Sequence, residues 1–178
     1  MAKPTAAYRP RGLLLRDGRA VTLRAIIPAD APEIAQAFER LSAESRYSRF
    51  MQHKRRLDPA ALDRGVRPRP GRDFAFVATI PAADGIDIVG AAQYVRVKED
   101  DPSTCEFAIT VAEDWRGSGL ATQLLASLVR RARRDGYTVM EGAVIADNSP
   151  MLALARKLKF TAHPMPDDAT VIRVERLL

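Results

Sequence analysis

The sequence has one cysteine, Cys105, in 178 residues. That excludes an internal disulfide framework and is compatible with a reducing compartment. It has two histidines, His53 and His163, with no metal-like spacing between them, so no metal site is expected. Aromatic residues make up 6% of the chain. With so few stacking platforms and no nucleic-acid motif, nucleic acid is not an expected partner. Near the N-terminus the apolar run is Leu13, Leu14 and Leu15, too short for the core of a signal peptide, and no stretch approaches membrane length. A soluble, cytoplasmic protein without a membrane partner is the expectation these absences leave.

What is present is a chain 47% hydrophobic, long enough for one domain with a real core and too short for two comfortable ones. A single domain over 1–178 is expected, with 1–18 as a partly flexible extension. The net charge of +6 is compatible with nucleic acid, a membrane surface or an acidic small molecule as partner.

Strand and helix patterns alternate along the chain without an internal repeat. Residues 21–26 alternate as a half-buried strand, and Asp30 with Glu33 forms a capping box before Ile34, Phe38 and Leu41. Residues 44–72, rich in arginine and proline, read as short helices and loops and as the part expected to move most. Strands are expected over 74–80 and 86–97, joined by a hairpin turn containing Asp84-Gly85, then over 104–112. Leu120, Leu124, Leu125, Leu128, Val129 and Ala132 fall at helical spacing, with Gly136 as the stop. A strand over 137–145, a helix capped by Ser149 with Pro150 at its first position, and a strand over 171–177 complete the pattern. The class is α/β, with a mixed, twisted central sheet and helices on both faces.

The most informative stretch joins the strand over 105–111 to the helix that follows. Gly117 and Gly119 permit positive φ and close backbone approach, and the first amides of the helix lack intrahelical partners beside the positive end of the dipole. Gly117, Ser118, Gly119, Leu120, Ala121 and Thr122 thus form a candidate cradle for a phosphate or pyrophosphate, with Arg116 adding charge at its rim. The turn lacks the Gly-Lys-Ser/Thr ending of a nucleoside triphosphate loop and the Gly-x-Gly-x-x-Gly of a dinucleotide fold. The bland alternative is a helix-opening turn with no ligand.

Arg116-Gly117-Ser118-Gly119-Leu120-Ala121 fits Arg/Gln-x-x-Gly-x-Gly/Ala, which resembles the acyl-coenzyme A pyrophosphate loop of the GNAT family of N-acetyltransferases. The order of elements resembles that fold independently. Residues 146–160, Ala-Asp-Asn-Ser-Pro-Met-Leu-Ala-Leu-Ala-Arg-Lys-Leu-Lys-Phe, are similar to a segment of the bacterial Pat-type protein lysine acetyltransferases. Residues 41–50 and 106–111 are similar to segments flanking the site in that group. The resemblance runs from Val21 to Leu177 and implies the GNAT fold, acetyl-CoA as co-substrate, no metal, and as acceptor a lysine of a protein such as an acyl-CoA synthetase. The three phosphate groups of acetyl-CoA would satisfy the basic charge.

The same resemblance implies that backbone groups near Ile109, Thr110 and Val111 are free to pair with the pantetheine arm and acyl carbonyl, the alternative being an ordinary internal strand. Asn148 would hydrogen-bond that arm or simply cap the helix. Glu106 is the candidate base. A lysine with a pKa of about 10.4 is protonated at neutral pH and must lose a proton to attack, and burial in an apolar strand would raise a carboxyl toward the useful range. Its alternative is a solvated glutamate paired with an arginine. Many relatives place a tyrosine in the last helix to protonate the leaving thiolate; Ala155 fills that position here, as in Pat-type sequences. Lys159 stands where a glycine is expected, which puts the helix end rather than the activity in question. Cys105 as acyl acceptor in a ping-pong route is disfavoured, since a lone buried thiol is inert. Arg130, Arg131, Arg133 and Arg134 read as a solvated face complementing the helix dipole. Other readings are transfer to a small-molecule amine such as an antibiotic or polyamine, and a non-catalytic CoA-sensing or nucleic-acid-binding module.

Overall fold

The computed structural model describes residues 8–178; of the expected N-terminal extension, residues 1–7 lie outside the described residues. The remainder of that segment includes a strand, β1 (Arg11–Leu14), which pairs antiparallel with β2 (Ala20–Ala25). From there β3 (Phe74–Ala82), β4 (Gly85–Val95) and β5 (Thr104–Val111) add in turn, each antiparallel to its predecessor. Then the sense of pairing changes. β6 (Val139–Ile145) runs parallel to β5, and β8 (Asp168–Leu177) and β7 (Thr161–Met165) close the sheet antiparallel, in the order β1-β2-β3-β4-β5-β6-β8-β7. The expected mixed α/β architecture is the one observed.

Helices cover both faces of the sheet. On one lie α1 (Ala31–Glu39), α2 (Ala43–Phe50) and α3 (Pro59–Gly65), the short helices expected within 44–72 among them. On the other lies α4 (Leu120–Arg134), whose Leu120, Leu124, Leu125 and Leu128 are fully buried on one stripe. Each such leucine contributes about 2 kcal/mol of apolar transfer. A side chain at Gly90 would meet Leu124 and Leu120 at 3.0 and 3.1 Å, so that glycine lets α4 settle onto β4.

Several local expectations are corrected. Asp30 precedes α1, but its carboxylate makes no cap bond; it chelates the Arg24 guanidinium at 2.7 and 2.8 Å and accepts from the Ile27 amide. A two-pronged charge-assisted bond outcompetes a neutral amide for the same oxygens. Asn148, rather than Ser149, caps α5 (Ser149–Lys157), accepting from the Met151 amide at 3.2 Å. Arg131 is buried, paired with Asp135 at 2.7 Å and laid over Phe74 at 4.1 Å, whereas the periodicity placed it on a solvated face. Strand β7 is additional to the expected pattern and contains Pro164; at the sheet's edge a proline is tolerated, since one side of the strand has no partner to donate to. Lys159 does adopt the left-handed conformation, with φ +66°.

One contact shapes the sheet at its centre. β5 and β6 pair at Thr104↔Val139, Cys105↔Met140 and Glu106↔Glu141, and their register stops there. Immediately beyond, the ring of Phe107 lies on Gly142, where an added Cβ would sit 2.5 Å from its Cε1. Phe160 holds that ring edge-on from the far side, with centroids 5.2 Å apart. Gly142→Ala is therefore expected to destabilise the protein by about 1–3 kcal/mol through overpacking. Thermal melting would read this as a loss of roughly 2–10 °C, and an unchanged melting temperature would show that the ring is free to move aside.

Candidate active site

Beyond Glu106 the two central strands part, and the edge of β5 toward β6 is left without a partner strand. On its other side β5 stays paired to β4 through Ile109, Thr110 and Val111, opposite Ala92, Ala91 and Gly90. In an antiparallel ladder every second residue turns its N–H and C=O away from the partner strand. The parted strands thus offer a row of free backbone groups in the sheet's middle, leading directly to the glycine turn.

That turn has the backbone its glycines allow, with φ +73° at Gly117 and +91° at Gly119. The amides of Gly117, Ser118, Gly119, Ala121 and Thr122 have no acceptor among the described residues, and no acidic residue stands in the first turn of α4. Leu120 differs from its neighbours. Its amide donates to Ser118 Oγ at 3.2 Å, Ser118 Oγ donates to the Trp115 carbonyl at 2.6 Å, and its side chain is buried beneath the turn. The turn is braced from a distant part of the chain as well. Arg16, in the β1–β2 connection, donates its backbone amide to the Ser118 carbonyl at 3.1 Å and its guanidinium to the Gly117 carbonyl at 2.9 Å. This places a cation across Gly119. Nothing in the local sequence of Arg16 foretells that contact.

Arg116 turns toward α2, where it donates to Ser45 Oγ at 2.6 Å. Glu113 accepts from Ser45 Oγ and the Ser42 amide, each at 2.8 Å. These serine hydrogen bonds hold the Glu113 carboxyl well below its usual range, at about 2. The N-terminus of α2 is thereby fastened to the segment that opens the glycine turn.

Glu106 is half-buried on the face covered by α1–α3. Burial pushes its pKa up, and Glu141, its register partner on β6, pushes in the same direction; Arg49 of α2 opposes both. Glu141 stands opposite Glu175 of β8 in turn, so Glu106, Glu141 and Glu175 lie abreast on three neighbouring strands. Arg173 bonds Glu141 at 3.2 Å and Glu175 at 2.9 Å. Over Glu141 and Glu175 opens a polar cavity of about 220 Å³ that also touches Lys98, Asp101, Thr104 and Arg173. The sequence motifs contained no sign of this row, because register across three strands is a property of the sheet.

The remaining candidates are placed as follows. Cys105 is fully buried on the α4 side, its thiol donating to the Val139 carbonyl at 3.7 Å, and burial pushes its pKa to about 12. Ala155 is buried in the core. The hydroxyls of Tyr94 and Tyr137 are engaged by Asp135 and the Arg72 carbonyl. His53 stacks on Tyr47 with centroids 4.7 Å apart, and His163 lies in β7. No group of metal-ligating side chains occurs among the described residues, and none of their helices is long and apolar enough to cross a membrane.

Residues 20–161 match the family described as the acetyltransferase (GNAT) domain. An acetyltransferase of Pseudomonas aeruginosa is 33% identical over 158 residues, covering 89% of this chain and 84% of that protein. The GNAT domain of Streptomyces lividans PAT superposes with a TM-score of 0.87 at 24% identity, over 95% of this chain and 97% of that one. A Salmonella typhimurium acetyltransferase solved with its cofactor acetyl-CoA superposes with a TM-score of 0.70 at 22% identity, over 89% of this chain and 94% of that one. With parted central strands leading into an unpartnered glycine turn, and with that family match over most of its length, the chain belongs to the GNAT family of acetyltransferases, enzymes whose co-substrate is acetyl-CoA.

Proposed function

We propose that the protein transfers the acetyl group of acetyl-CoA to a lysine side chain of another protein, by direct attack of the amine on the thioester with Glu106 as general base. The acceptor class is an acyl-CoA synthetase, as the Pat-like segments imply, and the reaction belongs to the cytoplasm. The observation that carries this reading is the acidic row of Glu106, Glu141 and Glu175 beside the parted strands, with a polar cavity over Glu141 and Glu175. A row of carboxylates attracts a cationic side chain, and the uncovered face of β6 and β8 leaves room for a protruding lysine to arrive on the surface of a folded partner.

In this reading the amides of Gly117, Ser118, Gly119, Ala121 and Thr122 hold the pyrophosphate, with Arg16 and Arg116 supplying positive charge around them. Leu120 contributes by fixing the first turn of α4 from below. The free edge near Ile109, Thr110 and Val111 pairs with the pantetheine arm and orients the acyl carbonyl, and the Asn148 side-chain amide, whose oxygen is spent on its cap, retains N–H donors for the same arm. Glu106 takes the lysine's proton directly or through water as the N–C bond forms.

Incubation with acetyl-CoA and a panel of purified acyl-CoA synthetases, read by mass spectrometry, is expected to reveal acetyl-lysine on at least one of them. The same enzyme preparation acetylating small amines while leaving every synthetase unmodified would replace the protein acceptor with a small one.

A further inference from the structure

The outer face of α4 carries Arg130, Arg133 and Arg134, all exposed, and the end of α5 carries Arg156, Lys157 and Lys159, exposed as well. α5 packs on the same side of the sheet as α4, with Ala155 and Phe160 in the core that the α4 leucines build. Two further arginines extend this face. Arg11 of β1 donates to Ser127 Oγ at 2.7 Å, where Arg130 also donates at 3.0 Å. Arg176 of β8 donates to the Leu158 carbonyl at the end of α5; burial lowers its pKa, and the charge of Arg133 lowers it further. Together these side chains account for the whole of the chain's net charge of +6, and what remains is not basic.

Such a concentration of one sign repels itself. Neither α4 nor α5 contains an acidic residue, and Asp135, at the end of α4, is taken by Arg131 and Tyr94. None of the cations just named forms an ion pair among the described residues. The C-termini of the two helices supply about half a negative charge each, far less than the cations gathered round them. The glycine turn stands at the other end of α4, roughly 16–22 Å from Arg130 to Arg134 along the helix, so the cradle proposed for the pyrophosphate makes no use of them. An excess of positive charge is left without a counter-charge.

We infer that this face binds the phosphate backbone of double-stranded nucleic acid without reading its sequence. Charges spread over β1, α4, α5 and β8 match a ligand whose own charge repeats along its length. A membrane-surface helix lays an apolar stripe beside its cations, yet none of the exposed large hydrophobic residues lies on α4 or α5. Leu14 and Leu177, the most exposed of them, alternate to the side of their strands opposite Arg11 and Arg176. Single strands are held by stacking on aromatic rings, and neither helix has one. A duplex keeps its bases stacked inside and presents phosphates to guanidinium forks, so the scarcity of aromatics in the sequence does not bear on it. The acidic row of Glu106, Glu141 and Glu175 lies on the opposite face of the sheet, where it repels a polyanion and stays open to the acceptor. The inference is independent of the choice of acceptor and base.

The test is fluorescence anisotropy of a short labelled DNA duplex of arbitrary sequence, titrated with the full chain at several salt concentrations. Each phosphate neutralised contributes about −0.9 to the slope of log affinity against log salt, so four or five contacts predict a loss of roughly 100–500-fold between 50 and 200 mM salt. Arg133→Ala together with Arg134→Ala should make that slope shallower by about 2 and keep the acetyl-CoA-induced thermal shift. Arg55→Ala with Arg56→Ala, which removes exposed cations between α2 and α3, should change neither. If the first pair does not fold, Arg156→Ala with Lys157→Ala takes its place with the same expectation. Equal flattening by the Arg55 and Arg56 pair would reduce the effect to overall charge and overturn the site. Displacement of the duplex by acetyl-CoA overturns it too, giving the face to the coenzyme's own phosphates. Equally tight binding to phosphatidylglycerol vesicles, lost with the same variants, gives the face to a membrane instead. A parent protein that does not bind the duplex at 50 mM salt overturns the inference outright.

Discussion

Gly119→Asp is expected to abolish the rise in melting temperature that acetyl-CoA gives the parent protein. A ligand that binds the folded state alone stabilises it by about 2.7 kcal/mol at a hundred times its Kd. In a chain of this size that corresponds to a shift of roughly 5–10 °C. Gly119 lies between unpartnered amides and has φ +91°. An added Cβ there would stand 3.1 Å from Arg16 Nε, so a carboxylate would fill the space proposed for the pyrophosphate, repel it and neutralise the nearest cation. Left-handed backbone at a non-glycine residue costs about 1–2 kcal/mol on its own, which lowers the melting temperature without ligand. The decisive quantity is therefore the ligand-induced shift rather than the absolute value. Gly119→Ala separates the two effects, since it bears the strain without the charge and should keep part of the shift. An equal shift in parent and Gly119→Asp would remove the glycine turn from acetyl-CoA binding.

The glycine turn was legible in the sequence because its chemistry is local. Positive φ at Gly117 and Gly119, and the orphan amides of α4, all follow from a few consecutive residues and the helix they open. The strands β3, β4 and β5 were legible for the same reason, as were the stripe of leucines on α4 and its stop at Gly136. What escaped was built by register and by distant packing. Arg16 lies across Gly119, far ahead of it in the chain, only because β1 and β2 bring their connection beneath α4. Glu141 and Glu175 join Glu106 because three strands align their alternate residues, and no spacing within one strand encodes that. Arg49 looked like one of many arginines in a basic, proline-rich segment. Its influence on Glu106 emerges only once α2 is set against β5. Asp30 shows the opposite case, in which a sound local expectation yields to a stronger partner: Arg24, six residues earlier, claims the carboxylate that would have capped α1.

Glu106→Gln is expected to lower kcat by about 10²–10⁴, the usual worth of a general base, while leaving the acetyl-CoA-induced thermal shift nearly intact because this side chain does not hold the phosphates. The pH profile supplies the sharper evidence. Burial and the neighbouring Glu141 raise the Glu106 pKa, with Arg49 pulling the other way. The base must be ionised to accept a proton, so activity is absent below that raised value and grows as pH rises through it, along a limb set above the ordinary carboxylate range. The side-chain amide of the variant cannot titrate; that limb should vanish, leaving a rate that follows hydroxide toward the acceptor lysine's pKa of about 10.4. No tyrosine-like falling limb is expected in the parent, since Ala155 has no proton to give and the hydroxyls of Tyr94 and Tyr137 are held by Asp135 and the Arg72 carbonyl. Cys105→Ala should remain active: the thiol lies on the opposite face, and at a pKa of about 12 it is protonated throughout the working range. Initial-rate patterns should intersect, because both substrates must be present together, whereas a route through acetyl-cysteine gives parallel lines. An acetylated Cys105 peptide that turns over on addition of acceptor would replace direct attack with that route, and undiminished activity of Glu106→Gln across the pH range would take Glu106 out of the chemistry.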